Sequence, residues 1–353
     1  MIEYKRFTED VVNVVSRLTD ACFSPSSREL LHKVLANPLR RIDHDAGDLA
    51  MEGGEAVSFQ AAILRKVAFG GRSMFAMTGC MLSSVPQTDP AIIYEVLKKS
   101  SVMRGNGVLY FGNTSCRAAF RLSKLLGISG TGPDSCSNQR MQPINWFRFL
   151  WYMFLHVIFK KASLGGPKMS SLVRPFERRI GSGTVRYIPK LVKEEFDGFW
   201  EEYARGCKGL VSSRTAEELE WAFAGDRWRI LGYYEGRRLL GYIVLKSSDD
   251  AGNRWSIADW IAMRNDESIL ESLLIAAKKF LHARTRAMLF QTTGFPTFVQ
   301  PILARHFKYS RPLPSNEFLY RFEDEGFKRM VMPAMDTKDS WFFGPYDGDA
   351  CLF

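Results

Sequence analysis

The sequence predicts an α/β chain of two tandem units, each a twisted mixed β-sheet flanked by helices. Three observations carry that prediction. First, beyond Arg229 two apolar runs, Ile230–Tyr234 and Leu239–Leu245, are joined through Glu235-Gly236 and read as a β-hairpin. Both runs are apolar at nearly every position, so both of their faces should be covered. Trp255–Met263 follows as a third strand. Asn265-Asp266 then precede a helix whose Ile269, Leu270, Leu273, Leu274, Ala277, Phe280 and Leu281 repeat on one face. Met288–Thr292 is a further strand and Phe298–Phe307 a further helix. Second, the same order of elements recurs near the amino end. Third, 353 residues with 46% hydrophobic side chains suffice for two cores.

In the amino-terminal unit, Ala46–Met51 and Ala56–Leu64 flank Glu52-Gly53-Gly54-Glu55 as another hairpin. Phe69-Gly70-Gly71-Arg72 turns the chain into a strand over Ser73–Leu82. Asp89-Pro90 opens a helix through Lys99, because Asp caps well and Pro is preorganised at the first helical position. Gly107–Asn113 is a strand, and Ser115–Leu126 a helix stopped by Gly127. Residues 8–36 read as amphipathic helices broken at Ser24-Pro25-Ser26-Ser27. Ser129–Gln142, with Gly130, Gly132 and Pro133, reads as a loop closing the first unit. Further on, Val192–Tyr203 and Thr215–Phe223 are expected helices, the second opened by a Thr215/Glu218 capping box. The tail from Glu323 to Phe353 looks less regular. The expected division is a first domain over 1–140, an aromatic helix and basic linker over 141–180, and a second domain over 181–353.

Hairpin, strand, helix, strand, helix is the element order of an acyl-CoA N-acyltransferase core. On that order the chain resembles tandem GNAT-fold (GCN5-related N-acetyltransferase) proteins over most of residues 40–130 and 210–353. The bacterial FemAB-like acyltransferases are of this sort. Trp341 with Tyr346-Asp347-Gly348-Asp349 is similar to sequences associated with exopolysaccharide biosynthesis. The glycine-rich loop that cradles the CoA pyrophosphate in this family is replaced here. Val85-Pro86-Gln87-Thr88-Asp89-Pro90 stands in its place in the first unit and Arg264-Asn265-Asp266-Glu267-Ser268 in the second.

The resemblance implies acetyl-CoA or another acyl-CoA as co-substrate, and roles for particular residues. In the family, amides of a splayed strand hold the pantetheine arm, and the next helix offers its amino end to the pyrophosphate. A carboxylate near the splay takes the proton of the amine, and a hydroxyl on the following helix protonates the leaving thiolate. Carried onto this chain, Asp259 is the expected base; within an apolar strand it either pairs with a cation or has a raised pKa. Ser123 falls where many relatives carry the acid tyrosine. Ile261, Met263, Asn265 and Ser268 would meet the cofactor in the second unit. Ser83, Val85, Gln87, Thr88 and Asn113 would do so in the first. The second unit is expected to perform the transfer and the first to shape the acceptor pocket. The implied acceptor is a small-molecule amine on a sugar nucleotide or another cell-envelope precursor. Two alternatives stand beside this: a non-catalytic scaffold for polysaccharide assembly, and a FemAB-like transferase that uses aminoacyl-tRNA.

A net charge of +10 suggests an anionic partner. No zinc-finger, helix-turn-helix or RNP-type pattern accompanies it, which disfavours nucleic acid. The six cysteines show neither Cys-x-x-Cys spacing nor a histidine cluster, so no metal is expected and free thiols in a reducing compartment are the default. The amino terminus has no apolar run of the secretory kind. The expected compartment is the cytoplasm. Ile144–Phe159 is almost wholly apolar and rich in aromatics, too short for a bilayer span of ~20 residues. Its favoured reading is a helix wedged between the two units. Its alternative is peripheral contact with the inner membrane through residues 145–160, with a basic flank over 160–193.

Overall fold

The computed structural model describes residues 1–22, 27–40, 46–101, 107–114, 117–130, 138–159, 175–294, 296–312, 317–335, 341–342 and 344–347. Ser24–Ser26, Ser115, Gly132-Pro133, the linker from Lys160 to Arg174 and Gly348-Asp349 lie outside them. The first half of the chain runs β1 (Ile2–Arg6), α1 (Val12–Cys22), α2 (Ser27–Leu35), β2 (Gly47–Glu52), β3 (Glu55–Phe69), β4 (Arg72–Ser84), α3 (Pro90–Ser101), β5 (Gly107–Thr114), α4 (Arg117–Leu125) and β6 (Ser129–Gly130). β1 to β4 pair antiparallel in sequence order, and α3 carries the chain across to a parallel β5. Gly53 and Gly54 link β2 to β3 with φ of 59° and 86°, the left-handed pair that a tight hairpin turn requires.

The chain continues through β7 (Asn138–Pro143), α5 (Trp146–Phe159), β8 (Glu177–Ile180), β9 (Gly183–Ile188), α6 (Lys193–Gly206), β10 (Leu210–Ser212) and α7 (Ala216–Ala222). Then come β11 (Trp228–Glu235), β12 (Arg238–Ser247), β13 (Arg254–Ala262), α8 (Glu267–Arg284), β14 (Leu289–Thr293), α9 (Gln300–His306) and β15 (Tyr309–Pro312). β16 (Glu317–Phe322), α10 (Glu325–Met335) and β17 (Trp341–Phe342) complete it. The second sheet is ordered β15-β7-β14-β13-β12-β11-β9-β8, with β13 and β14 parallel. The fold is α/β with two mixed sheets, and the two hairpins sit in different sheets as expected.

Neither sheet is drawn from one continuous stretch. β7, from the end of the first half, enters the second sheet between β14 and β15. β16, from the second half, enters the first sheet between β5 and β6. The expected loop over Ser129–Gln142 therefore contains strand at both of its described ends, 129–130 and 138–142. Its Asn-Gln-Arg-Met-Gln-Pro run carries no apolar alternation, yet the backbone of β14 needs a partner on that side and takes this one. The tail from Glu323 likewise gains a helix and a short strand, α10 and β17.

The space between the sheets is a shared core. Phe7, Leu31, Phe59 and Ile63 from the first half pack in one cluster with Phe196, Tyr242, Val244 and Ile261 from the second. α1, α2, α6 and α7 all contribute to it, the last held by the predicted Thr215/Glu218 capping box. On its other face the second sheet is covered by α8, whose Leu273, Leu274 and Phe280 meet Trp255, Trp260 and Phe290.

That crowding overturns the expectation for the aromatic segment. α5 is not wedged between the units. It leaves the edge of the second sheet after β7 and presents Trp146, Phe147, Leu150, Trp151, Met153 and Phe154 to solvent, Phe147 at 82% exposure. The helix is tied down at its first turn. Asn145 Oδ1 accepts from the Arg148 amide, Arg148 Nη2 donates to Asn253 Oδ1 at 2.8 Å, and Nη1 donates to the Arg286 carbonyl. The core between the sheets is lined by α1, α2, α6 and α7 instead.

Candidate functional site

In each sheet the parallel pair begins together and then parts. β4 and β5 pair from Phe75/Gly107 to Thr78/Phe111, and beyond that residues 79–84 of β4 lose their parallel neighbour. β13 and β14 pair from Arg254/Leu289 to Ser256/Gln291, after which residues 257–262 of β13 are left in the same way. A register shift accompanies each parting, between Phe59 and Ala61 against β4 and between Val244 and Leu245 against β13. An extra residue of this kind bends its strand and turns it away from a neighbour. Met81, within the first shift, adopts φ of 54°, a left-handed conformation that a methionine takes only when its surroundings impose it.

In the first half, the point of parting is bound by a buried polar chain. Ser100 Oγ, on α3, donates to Gln60 Oε1 on β3 at 2.6 Å. Gln60 Nε2 in turn donates to Tyr110 Oη on β5 at 3.2 Å. Gly79 is what lets Tyr110 cross over β4, since a Cβ there would lie 2.0 Å from the phenol oxygen. Ser83, Val85, Gln87 and Thr88 follow as the exit from β4. Ser83 Oγ donates to the Met81 carbonyl and Thr88 Oγ1 to the Val57 carbonyl, each at 3.0 Å, while Val85 and Gln87 are exposed. Asn113 sits on β5 opposite Phe318, and Ser123 is buried on α4.

In the second half the same position is occupied by ions. Asp259 is fully buried. Its Oδ2 accepts from Arg214 Nε at 2.9 Å and from Tyr242 Oη at 2.8 Å, and its Oδ1 accepts from Arg214 Nη2 at 3.1 Å. Arg214 Nη2 also reaches Asp347 Oδ2 at 3.4 Å, which draws the 345–347 turn onto β13. The guanidinium lies 4.7 Å from the Tyr346 ring and 5.0 Å from that of Phe342. Burial works against the charge of Arg214, but Asp259 and Asp347 outweigh it and hold its pKa well above the ordinary value. Burial pushes the Asp347 carboxyl up, against the pull of Arg214. Burial and then Asp259 push the Tyr242 phenol well up.

Of the two states expected for a carboxylate in an apolar strand, Asp259 shows the first: it pairs with a cation, Arg214. Asp259 holds the terminal turn and the strand together. Ile261 and Met263 are buried beside it. Asn265 Oδ1 accepts from Tyr203 Oη at 2.8 Å, and Ser268 Oγ donates to Asp266 Oδ1 at 2.7 Å, so the polar groups of that exit are spent internally. Arg264 and Asn265 are both left-handed, with φ of 55° and 53°.

The two helices that follow the parted strands are capped alike. Asp89 Oδ1 accepts from the Ala91 amide, and Asp266 Oδ1 from the Ser268 and Ile269 amides. These are the amides that a bound anion would use at a helix N-terminus. The expected site residues thus fall into two sets, one per sheet, at corresponding places. Sequence reasoning singled out Asp347 in the terminal motif without connecting it to Asp259; it missed Arg214 and Tyr242, and in the first half Gln60, Ser100 and Tyr110. The strand acid itself was the available signal, since a carboxylate in an apolar strand demands a cation. Among 48 lysines and arginines nothing local singled out Arg214. Among the described residues no group of His, Cys, Asp or Glu could hold a metal ion.

No protein-family profile matches the sequence, and no curated protein is similar to it. Solved structures do match in fold. A probable N-acyltransferase from Enterococcus faecalis V583 aligns with 91% of this chain and 72% of its own, at TM-score 0.55 and 12% identity. A GCN5-related N-acetyltransferase from Anabaena variabilis aligns with 92% of this chain and 74% of its own, at TM-score 0.54 and 10% identity. Saccharomyces cerevisiae N-myristoyltransferase with bound myristoyl-CoA aligns with 92% of this chain and 79% of its own, at TM-score 0.56 and 14% identity. The fold is that of the GCN5-related N-acetyltransferases, present twice in one chain.

Proposed function

We propose that the protein is an acyl-CoA-dependent N-acyltransferase. The observation that carries this reading is the parting of a parallel strand pair at a register shift, the place at which a pantetheine arm would pair with the strand that has lost its neighbour. The reacting half is the first. Its slot runs between residues 79–84 and 112–114, whereas the acid of the second slot is locked in an ion pair. In that first slot Ser83, Val85, Gln87 and Thr88 lie along the donor, with Asn113 and Ser123 across it. The acceptor is an amine of a sugar nucleotide or another cell-envelope precursor, a reading supported by the resemblance and by the basic charge of the chain.

A second reading has its own observation. The Asp89 and Asp266 caps occupy the helix amides that would meet a pyrophosphate, as a non-catalytic scaffold would tolerate. Binding of CoA separates the two readings. Native mass spectrometry of the full chain with acetyl-CoA should show a complex, and thiol release should follow when an amine acceptor is supplied. Hydrogen exchange should then find protection over residues 79–90 and 107–114. Protection confined to 257–268 would move the reaction to the second half. No complex with any acyl-CoA leaves the scaffold.

A further inference from the structure

We infer that α5 docks the protein on an anionic lipid surface, lying in the interface with its outward face immersed. The usual amphipathic arrangement is inverted here. Trp146, Phe147, Leu150, Trp151 and Phe154 recur at the spacing of one helix face, and that face points to solvent. The polar member of the first turns, Arg148, points inward and anchors the helix to the body. Trp151 and Phe154 stack on each other at 5.5 Å, and Trp146 meets Tyr309 of β15 edge-on at 6.1 Å, so the aromatic surface continues from the helix onto the sheet edge. Single exposed apolar residues are ordinary, but a contiguous aromatic face of this kind marks a docking surface.

Charge selects the occupant. β7, α5 and β15 contain no acidic residue, while Arg140, Arg148 and Arg311 lie on them, with exposed Lys308 next to Tyr309 and Arg286 beneath the first helical turn. A second copy of this chain would bring the same positive edge, within a net charge of +10, against itself. Anionic headgroups complement it, and each lysine or arginine near such a surface adds attraction. The aromatic composition suits the boundary between headgroups and acyl chains. The 14 residues of α5 make a helix of about 21 Å. That is short of the roughly 30 Å hydrocarbon thickness, so the helix lies in the plane. Among the described residues no helix is long and apolar enough to cross a membrane.

The test is co-sedimentation of the full chain with vesicles of phosphatidylcholine containing phosphatidylglycerol, compared with phosphatidylcholine alone. The parent should bind the mixed vesicles, and less so as salt is raised. The triple variant Phe147→Ser, Leu150→Ser, Phe154→Ser should lose binding on the order of 100-fold, at an unchanged melting temperature because these side chains already face water. Lys308→Glu and Arg311→Glu should each weaken binding by at least about fivefold. Equal binding by parent and triple variant, or no binding by the parent, overturns the proposal. Sedimentation velocity supplies the rival outcome: a parent dimer that the triple variant converts to monomer makes α5 a self-association face instead.

Discussion

The two parted strand pairs stand at equivalent places in one duplicated fold and are finished in different ways. In the first half a neutral chain, Ser100 to Gln60 to Tyr110, ties helix and strands together around Gly79. In the second, a buried guanidinium joins Asp259 on β13 to Asp347 in the terminal turn. A neutral chain can be rearranged around a ligand at the cost of a hydrogen bond or two. A buried ion network cannot, because any member left unpaired carries a desolvated charge. The difference teaches that sharing a strand geometry does not mean sharing side-chain chemistry: one parting is tied by neutral hydrogen bonds, and the other holds the 345–347 turn through buried ions.

The largest expected effect comes from separating the halves. Residues 1–140 expressed alone lack β16, and 181–353 alone lack β7, so circular dichroism should show neither fragment folding independently. Co-expression of the two should restore a soluble complex only if the exchanged strands are retained. Next is Asp259→Ala, which leaves Arg214 buried with a poorer partner. It should lower stability in urea by about 3–5 kcal/mol while CoA affinity of the folded fraction stays at the parent value. Parent-like unfolding with lost turnover would instead return catalysis to Asp259. Gln60→Leu removes the acceptor of Ser100 and the donor to Tyr110. It should cost about 1–3 kcal/mol, and it should weaken CoA binding, which the Asp259 variant should not do.

The smallest effect is one of pH. Burial, and then Lys308, lower the Lys278 ammonium from 10.5 to about 8. Between those two values the unfolded chain holds a proton that the folded chain has released, so the folded state gains stability as pH rises through that window. Lys278→Met should therefore raise the melting temperature most at pH 7, with the gain shrinking by pH 10.5. A gain that is constant across that range would mean the lysine titrates alike in both states.

Much of the fold was legible because its signals are local. Gly53-Gly54 between apolar runs names its own turn, Asp89-Pro90 and Thr215 with Glu218 name their helix starts, and the stripe from Ile269 to Leu281 names the face of α8 that is buried. Each depends on residues within a turn or two of one another. Other features depended on partners far away in the chain. Asn138–Pro143 pairs as a strand with β14, and α5 faces water while α1, α2, α6 and α7 line the core between the sheets. The sequence by itself determined the two hairpins with the strand and helix that follow each, and the presence of a carboxylate in β13. Only the tertiary structure decided that Arg214 and Asp347 would meet that carboxylate, and that each half would lend the other a strand. Backbone edges and buried charges must be satisfied somewhere, and nothing local in a sequence says by whom.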